Sequence, residues 1–192
     1  MRPMHIVLSL PVLAAVVVAC NRADGISDAG LPRSPEEVKP IGKGGQAPSA
    51  ALKGSDGKST SLKEVISGKP TVVIFYRGGW CPYCNIHLKE LILVEGELRK
   101  IGYQLIALSP ENPGDVKGTI DQNELTYKLY SDVNAENSKA FGLAFSNNGQ
   151  VLPVPAVYLI DKSGKIVYAH SNPNYTDRLS GGSILKEAKA NL

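Results

Sequence analysis

Thr71-Val72-Val73-Ile74-Phe75-Tyr76-Arg77-Gly78-Gly79-Trp80-Cys81-Pro82-Tyr83-Cys84 decides how this chain folds. Its first six residues form an apolar, β-branched and aromatic run, which reads as a buried strand. Arg77-Gly78-Gly79 supplies a turn. Beyond the cysteines, Leu88, Leu91, Ile92, Leu98 and Ile101 fall near one face of a helix spanning 81–101. Pro82 suits the first turn of that helix, where a missing N–H leaves nothing unpaired. Cys81 and Cys84 therefore sit at a strand-to-helix junction. Unpaired N–H groups and the positive end of the helix dipole favour thiolate over thiol there. Cysteine pKa values in such places fall to roughly 3.5–7.5. The spacing also lets the two sulfurs meet and close a disulfide, the requirement for thiol–disulfide exchange. The expectation is that both sulfurs lie side by side, open to solvent.

Outward from that stretch, strands alternate with helices. Ala50-Ala51-Leu52 and the turn over 54–58 suggest a short hairpin. Ser61 and Glu64 form a capping box for a helix through Ile66. Gly102 ends the long helix. Strands are expected at 105–108, 127–130, 156–160 and 166–169, and helices at 115–123, 135–141 and 183–190. Asp161-Lys162-Ser163-Gly164 turns the last two strands into a hairpin. This order gives an α/β sandwich, a central mixed sheet flanked by helices. With C-x-x-C after the first core strand, the fold is expected to be thioredoxin-like over 46–192.

The 192 residues suffice for one domain with a core and a leader. A net charge of +3, with no basic stripe, argues against a nucleic-acid partner. Arg2 and His5 precede an apolar run, 6–19, too short for a comfortable transmembrane helix, so 1–19 reads as a signal peptide. Val17-Val18-Ala19-Cys20 resembles a bacterial lipobox, which makes Cys20 the expected lipidation site. A doubly acylated Cys20 would hold the protein durably on a membrane, each buried CH₂ adding about 0.8 kcal/mol. The expected location is extracytoplasmic, facing the periplasm, with Asn21 favouring the outer membrane. The stretch 20–45 is rich in Gly, Pro, Ser and charge and reads as a flexible tether.

Other uses of the cysteine pair fit less well. A zinc site needs more ligands than His87 and His170, and no second C-x-x-C exists. Haem attachment needs His directly after the second cysteine, where Asn85 stands. A static structural disulfide remains open in an oxidising compartment. No cofactor or metal is called for. Pro155, directly before the strand at 156–160, is expected to be cis and to face the cysteines, with Val154 offering its N–H and C=O to a bound peptide.

Three stretches together resemble the peroxiredoxin-like branch of the alkyl hydroperoxide reductase/thiol-specific antioxidant (redoxin) family. They are 75–84, 154–161 and Asn174-Tyr175-Thr176-Asp177-Arg178-Leu179. The likeness runs from about Ile41 to the C-terminus. It implies an antioxidant, thiol-dependent oxidoreductase that reduces peroxides with electrons from an external thiol reductant, a thioredoxin-like protein. The family's P-x-x-x-T-x-x-C pattern places its peroxidatic cysteine on Cys84. Its Pro falls on Arg77, its Thr on Cys81, and its later arginine on Pro155. Arg77 and Arg178 are the candidates to replace the missing donors. Two nucleophile assignments stay open. A peroxidase would attack with Cys84 and resolve with Cys81. An extracytoplasmic protein thiol-disulfide oxidoreductase, such as one serving cytochrome maturation, would attack a protein disulfide with Cys81 and resolve with Cys84. In either case Trp80, Pro82 and Tyr83 form an apolar lip for the partner.

Overall fold

Alternation along the strand at 71–75 sets the two sides of the molecule. In the computed structural model, which describes residues 26–192, Val72, Ile74 and Tyr76 point into one hydrophobic cluster. Val73 and Phe75 point into another. Both faces are buried, so the strand reads as a continuous apolar run rather than an alternating one.

The elements run β1 (Ala51–Gly54), β2 (Ser59–Ser61), α1 (Leu62–Ile66), β3 (Thr71–Phe75), α2 (Pro82–Lys100), β4 (Gln104–Ser109), α3 (Pro113–Asn123) and β5 (Lys128–Ser131). Then come α4 (Glu136–Ala140), β6 (Ala144–Asn147), β7 (Gln150–Pro153), β8 (Ala156–Ile160), β9 (Ile166–Ser171) and α5 (Gly181–Ala190). Seven strands form one sheet in the order β2-β1-β5-β4-β3-β8-β9. β3, β4 and β5 are parallel, and β8 runs antiparallel to β3, so the sheet is mixed and the fold is thioredoxin-like. α2, α3 and α5 cover one face through Leu88, Leu91, Leu98, Val116, Ile184 and Ala188. α1, Phe141 and the β6–β7 hairpin cover the other. There Phe141 packs on Phe75 and Tyr158, with ring centroids 5.0 and 4.8 Å away. Each such aromatic pair adds about 1 kcal/mol beyond its buried area.

Local signals explain several boundaries. The Ser61/Glu64 capping box closes α1 from both directions, a cap contributing about 1 kcal/mol. Pro82 opens α2 with Cys81 as its N-cap, and Gly102 follows its end at φ 89°. The sequence reading omitted the β6–β7 hairpin. Asn148 and Gly149 turn it at φ 52° and 82°, the left-handed pair that a tight hairpin needs.

The expected tether is corrected where it is described. Residues 26–45 lie against the domain: Pro32 O accepts from Ser146 N at 2.8 Å, Ile41 N donates to Phe141 O at 3.0 Å, and Gly44 N to Ile166 O at 2.8 Å. Ile26, Leu31, Val38 and Ile41 pack beneath it without forming any helical or strand period. The signal peptide at 1–19 and lipidation at Cys20 lie outside the described residues. Among the described residues no helix is long and apolar enough to cross a membrane.

Candidate active site

β3 ends at Phe75, and Tyr76 extends the ladder by donating to Leu108 O at 3.0 Å. The chain then turns through 77–80 into α2. One residue anchors this turn through both its backbone polar groups. Gly79 N donates to Glu111 Oε1 at 2.8 Å, and Gly79 O accepts from Asn85 Nδ2 at 2.7 Å. Asn85 is held in turn by Asn123 Nδ2 at 3.1 Å. Any Cβ at position 79 would collide with the Thr119 hydroxyl, so α3 admits only glycine there. Glu111 and Asn85 escaped the sequence reading. The signal was present: Ser109-Pro110-Glu111 follows a parallel strand at its carboxyl end, where α/β folds collect functional groups.

The turn delivers Cys81 and Cys84 as free thiols side by side at the start of α2. The Cys84 thiol donates to the Cys81 sulfur, and this hydrogen bond is the main cause that lowers Cys81 to about 5. Burial opposes that shift. The Cys84 backbone N–H and the positive Arg178 and Arg77 reinforce it. The same sharing, followed by burial, pushes Cys84 up, although Arg178 and the Arg77 backbone N–H pull it down. In the reduced pair the negative charge therefore rests on Cys81 and the proton on Cys84.

Both sulfurs are less open than the sequence suggested. Cys81 is 1% exposed and Cys84 fully buried. The cause is the segment 172–179 between β9 and α5, which folds over the dithiol. Its Tyr175 ring stands edge-on to Tyr83, with centroids 5.7 Å apart. Arg77 is layered between the rings of Trp80 and Tyr175, its Cζ 5.0 and 4.5 Å from their centroids. Trp80, Pro82 and Tyr83 stay exposed, and they form the rim of this cover.

Arg178 touches the dithiol, while Arg77 acts on Cys81 through its charge from between the two rings. Arg178 Nη2 lies 3.4 Å from Cys84 Sγ, and its Nε donates to Tyr175 O at 2.7 Å. Arg178 Nη1 and Arg77 Nε are buried with no hydrogen-bond partner. His87, one turn beyond Cys84, is buried. Its Nε2 is 3.0 Å from Leu179 O. Burial, and then the charge of Arg178, lower its pKa, so it is neutral and adds no positive charge beside the thiolate.

Val154 and Pro155 require a second correction. No peptide bond among the described residues is cis. Val154 N donates to Leu143 O at 2.9 Å, carrying the β6–β7 ladder one step past Pro153. A trans link lets that ladder run into β8, and it occupies the N–H expected to meet a substrate. Pro155 still stands at the dithiol end of the sheet. With Arg77, Tyr175, Phe145 and Pro153 it lines a cavity of about 180 Å³.

A mixed sheet whose first core strand hands a C-x-x-C dithiol to a helix, with the Arg178 guanidinium against it, defines a thioredoxin-fold dithiol protein. The family model described as "AhpC/TSA family" matches residues 43–169, and the chain belongs to that family. It is 30% identical over 132 residues to peroxiredoxin Q of Gentiana triflora, covering 69% of this chain and 60% of that protein. It is likewise 30% identical over 135 residues to the thiol-disulfide oxidoreductase ResA of Bacillus cereus, covering 70% of this chain and 71% of that one. The chain thus spans about 60% of the length of the peroxiredoxin Q relative. Among solved structures, peroxidoxin BcpB of Mycobacterium tuberculosis superposes with a TM-score of 0.69 at 18% identity, over 78% of this chain and 97% of that one. At that identity the likeness is one of fold.

Proposed function

We propose that this protein is a thiol-dependent oxidoreductase that reduces peroxides through Cys84 and Cys81 and is recharged by an external thioredoxin-like thiol reductant. One observation carries the reading: Arg178 Nη1 and Arg77 Nε are buried without partners, and Arg178 Nη2 already touches Cys84 Sγ. Unpaired buried donors are costly unless something fills them. Two peroxide oxygens would fill these, and the guanidinium charge would stabilise the departing oxygen.

The chemistry follows from the shared proton. Its transfer from Cys84 to Cys81 leaves Cys84 as thiolate. Cys84 Sγ attacks one oxygen of the peroxide, the O–O bond breaks, and a sulfenic acid forms on Cys84. The leaving alkoxide or hydroxide takes the proton from Cys81. The Cys81 thiolate then attacks the sulfenic sulfur, expels hydroxide and closes the disulfide. A second reading, reduction of protein disulfides with Cys81 attacking first, is favoured by the acidity of Cys81 at the helix N-cap. We assign the lipobox at Cys20 the role of membrane anchor, with the domain outside the cytoplasm. Cys20→Ala should move the protein from the membrane to the soluble fraction.

Peroxide consumption with thioredoxin as reductant tests the main reading. Wild type should turn over, Cys84→Ser should not, and Cys81→Ser should complete only the first step. If Cys84→Ser still consumes peroxide while Cys81→Ser does not, the peroxidatic role belongs to Cys81; if the wild type reduces protein disulfides but consumes no peroxide, the second reading stands.

A further inference from the structure

Tyr76 is fully buried in the same cluster as both cysteines, and its hydroxyl makes no hydrogen bond. The polar and titratable groups that act on it are Ser109, Glu111 and Cys84. Glu111 is only half-buried, and its two carboxylate oxygens are fixed: Oε1 by Gly79 N at 2.8 Å and Oε2 by Ser109 Oγ at 3.0 Å. It lines a groove of about 980 Å³ beside Trp80. A buried cysteine and an unpartnered hydroxyl thus share one cluster, and the ladder bond from Tyr76 N to Leu108 O brings the end of β4, with Glu111 at its groove, beside them. We propose that Tyr76 and Glu111 carry the proton to and from Cys84.

The proposal rests on the dithiol reading and concerns its recharging half. A reductant thiolate attacks Cys81 Sγ of the closed disulfide. A mixed disulfide forms there, the Cys81–Cys84 bond breaks, and its electron pair leaves on Cys84. That sulfur is then a buried anion beside the Arg178 guanidinium, which can hold the charge but gives up no proton. Tyr76 gives it the hydroxyl proton while Glu111 returns one to Tyr76. The products are a neutral Cys84 thiol, an intact Tyr76 and an ionised Glu111, which reloads from the groove. The same line in reverse takes the Cys84 proton when a mixed disulfide must be resolved. His87 cannot substitute, being neutral with Nε2 engaged at Leu179. Burial raises Glu111, and the negative charge of Asp115 adds to this, which keeps it a proton donor at higher pH than an ordinary carboxyl. Cys84 itself also faces Cys81, Arg178 and the Arg77 N–H.

Trp80, the single tryptophan of the chain, borders the dithiol and reports the test. Stopped-flow reduction of the oxidised full-length protein by dithiothreitol is followed by its fluorescence across pH. Corrected for dithiothreitol thiolate, the wild-type rate should fall as pH rises through the Glu111 titration. Glu111→Gln keeps an oxygen for Gly79 N–H but ferries no proton; it should slow reduction on the order of 10²-fold and flatten the profile. Tyr76→Phe keeps the volume and should lose a similar factor. Unchanged rate and profile in both variants overturns the relay. Loss in Glu111→Gln alone, with Tyr76→Phe like wild type, also overturns it, because Glu111 would then act only by positioning the turn. A wild-type disulfide that dithiothreitol cannot reduce would instead remove the dithiol reading.

Discussion

Two buried polar sites in this molecule are built on opposite plans. Asp132, fully buried after β5, receives four donors: Asn137 N and Nδ2, Ser138 N and Ser138 Oγ, at 2.6–3.0 Å. Asn137 in turn accepts from Ala50 N and donates to Ala51 O, tying α4 to β1. Every group there has a partner within the chain. Around Cys81 and Cys84 the reverse holds. Five buried side-chain polar atoms lack partners among the described residues, and Tyr76, Arg77, His87 and Arg178 supply four of them. A saturated network holds a fold; an unsaturated one keeps donors ready for a molecule not yet present.

Substitutions at the two sites should therefore fail in different ways. Arg178→Ala removes a donor at the dithiol and should lower kcat/KM for peroxide on the order of 10²-fold, with little loss of stability. Arg178→Lys should recover only part, since an ammonium lacks the planar fork. Asp132→Ala strands four buried donors and should cost about 3 kcal/mol in urea unfolding, while the molecules that remain folded keep their turnover. A stable Asp132→Ala protein, or an unfolded Arg178→Ala one, would break the contrast.

The thiolate gives a sharper measure. Alkylation of Cys81 should lose half its rate near pH 5, where the thiolate titrates. Cys84→Ala removes the main cause of that shift and should move the midpoint toward the ordinary thiol range of about 8.5. The sign for stability follows from a depressed folded pKa. The thiolate's contribution is complete above the unfolded thiol's range and is lost as pH falls toward 5. The smallest effect belongs to the cover. Tyr175→Ala takes away one face of the Arg77 sandwich and should speed alkylation of Cys81 severalfold.

Much of this was legible from residue order. The β3 run, Pro82 and Gly102 fix a strand, a turn and a helix by local rules, so the dithiol's place at their junction followed directly. The hairpin signal at Asn148-Gly149 was local too, but short strands beside it hid the pattern. Other features depend on distant chain segments. The cover is made by residues 172–179, nearly a hundred positions from Cys81, and its aromatic contacts leave no periodic trace. Residues 26–45 carry their apolar side chains at irregular intervals, so composition suggested a tether where packing produces an edge of the domain. The Val154 N–H is taken by the carbonyl of Leu143, a pairing set by the β6–β7 hairpin that the sequence pattern hid. Glu111 and Tyr76 meet only because β3 and β4 pair in parallel, with Phe75 beside Leu108.

Peroxide chemistry at Cys84 is tested most directly in a single turnover of the Cys81→Ser protein. Hydrogen peroxide is added at one equivalent, sulfenic acid is captured with a dimedone probe, and the adduct is located by mass spectrometry. The account predicts one adduct, on Cys84, and its loss when Arg178 is also changed to Ala. An unmodified Cys84, together with adduct on Cys81 in the reciprocal Cys84→Ser protein, would contradict it.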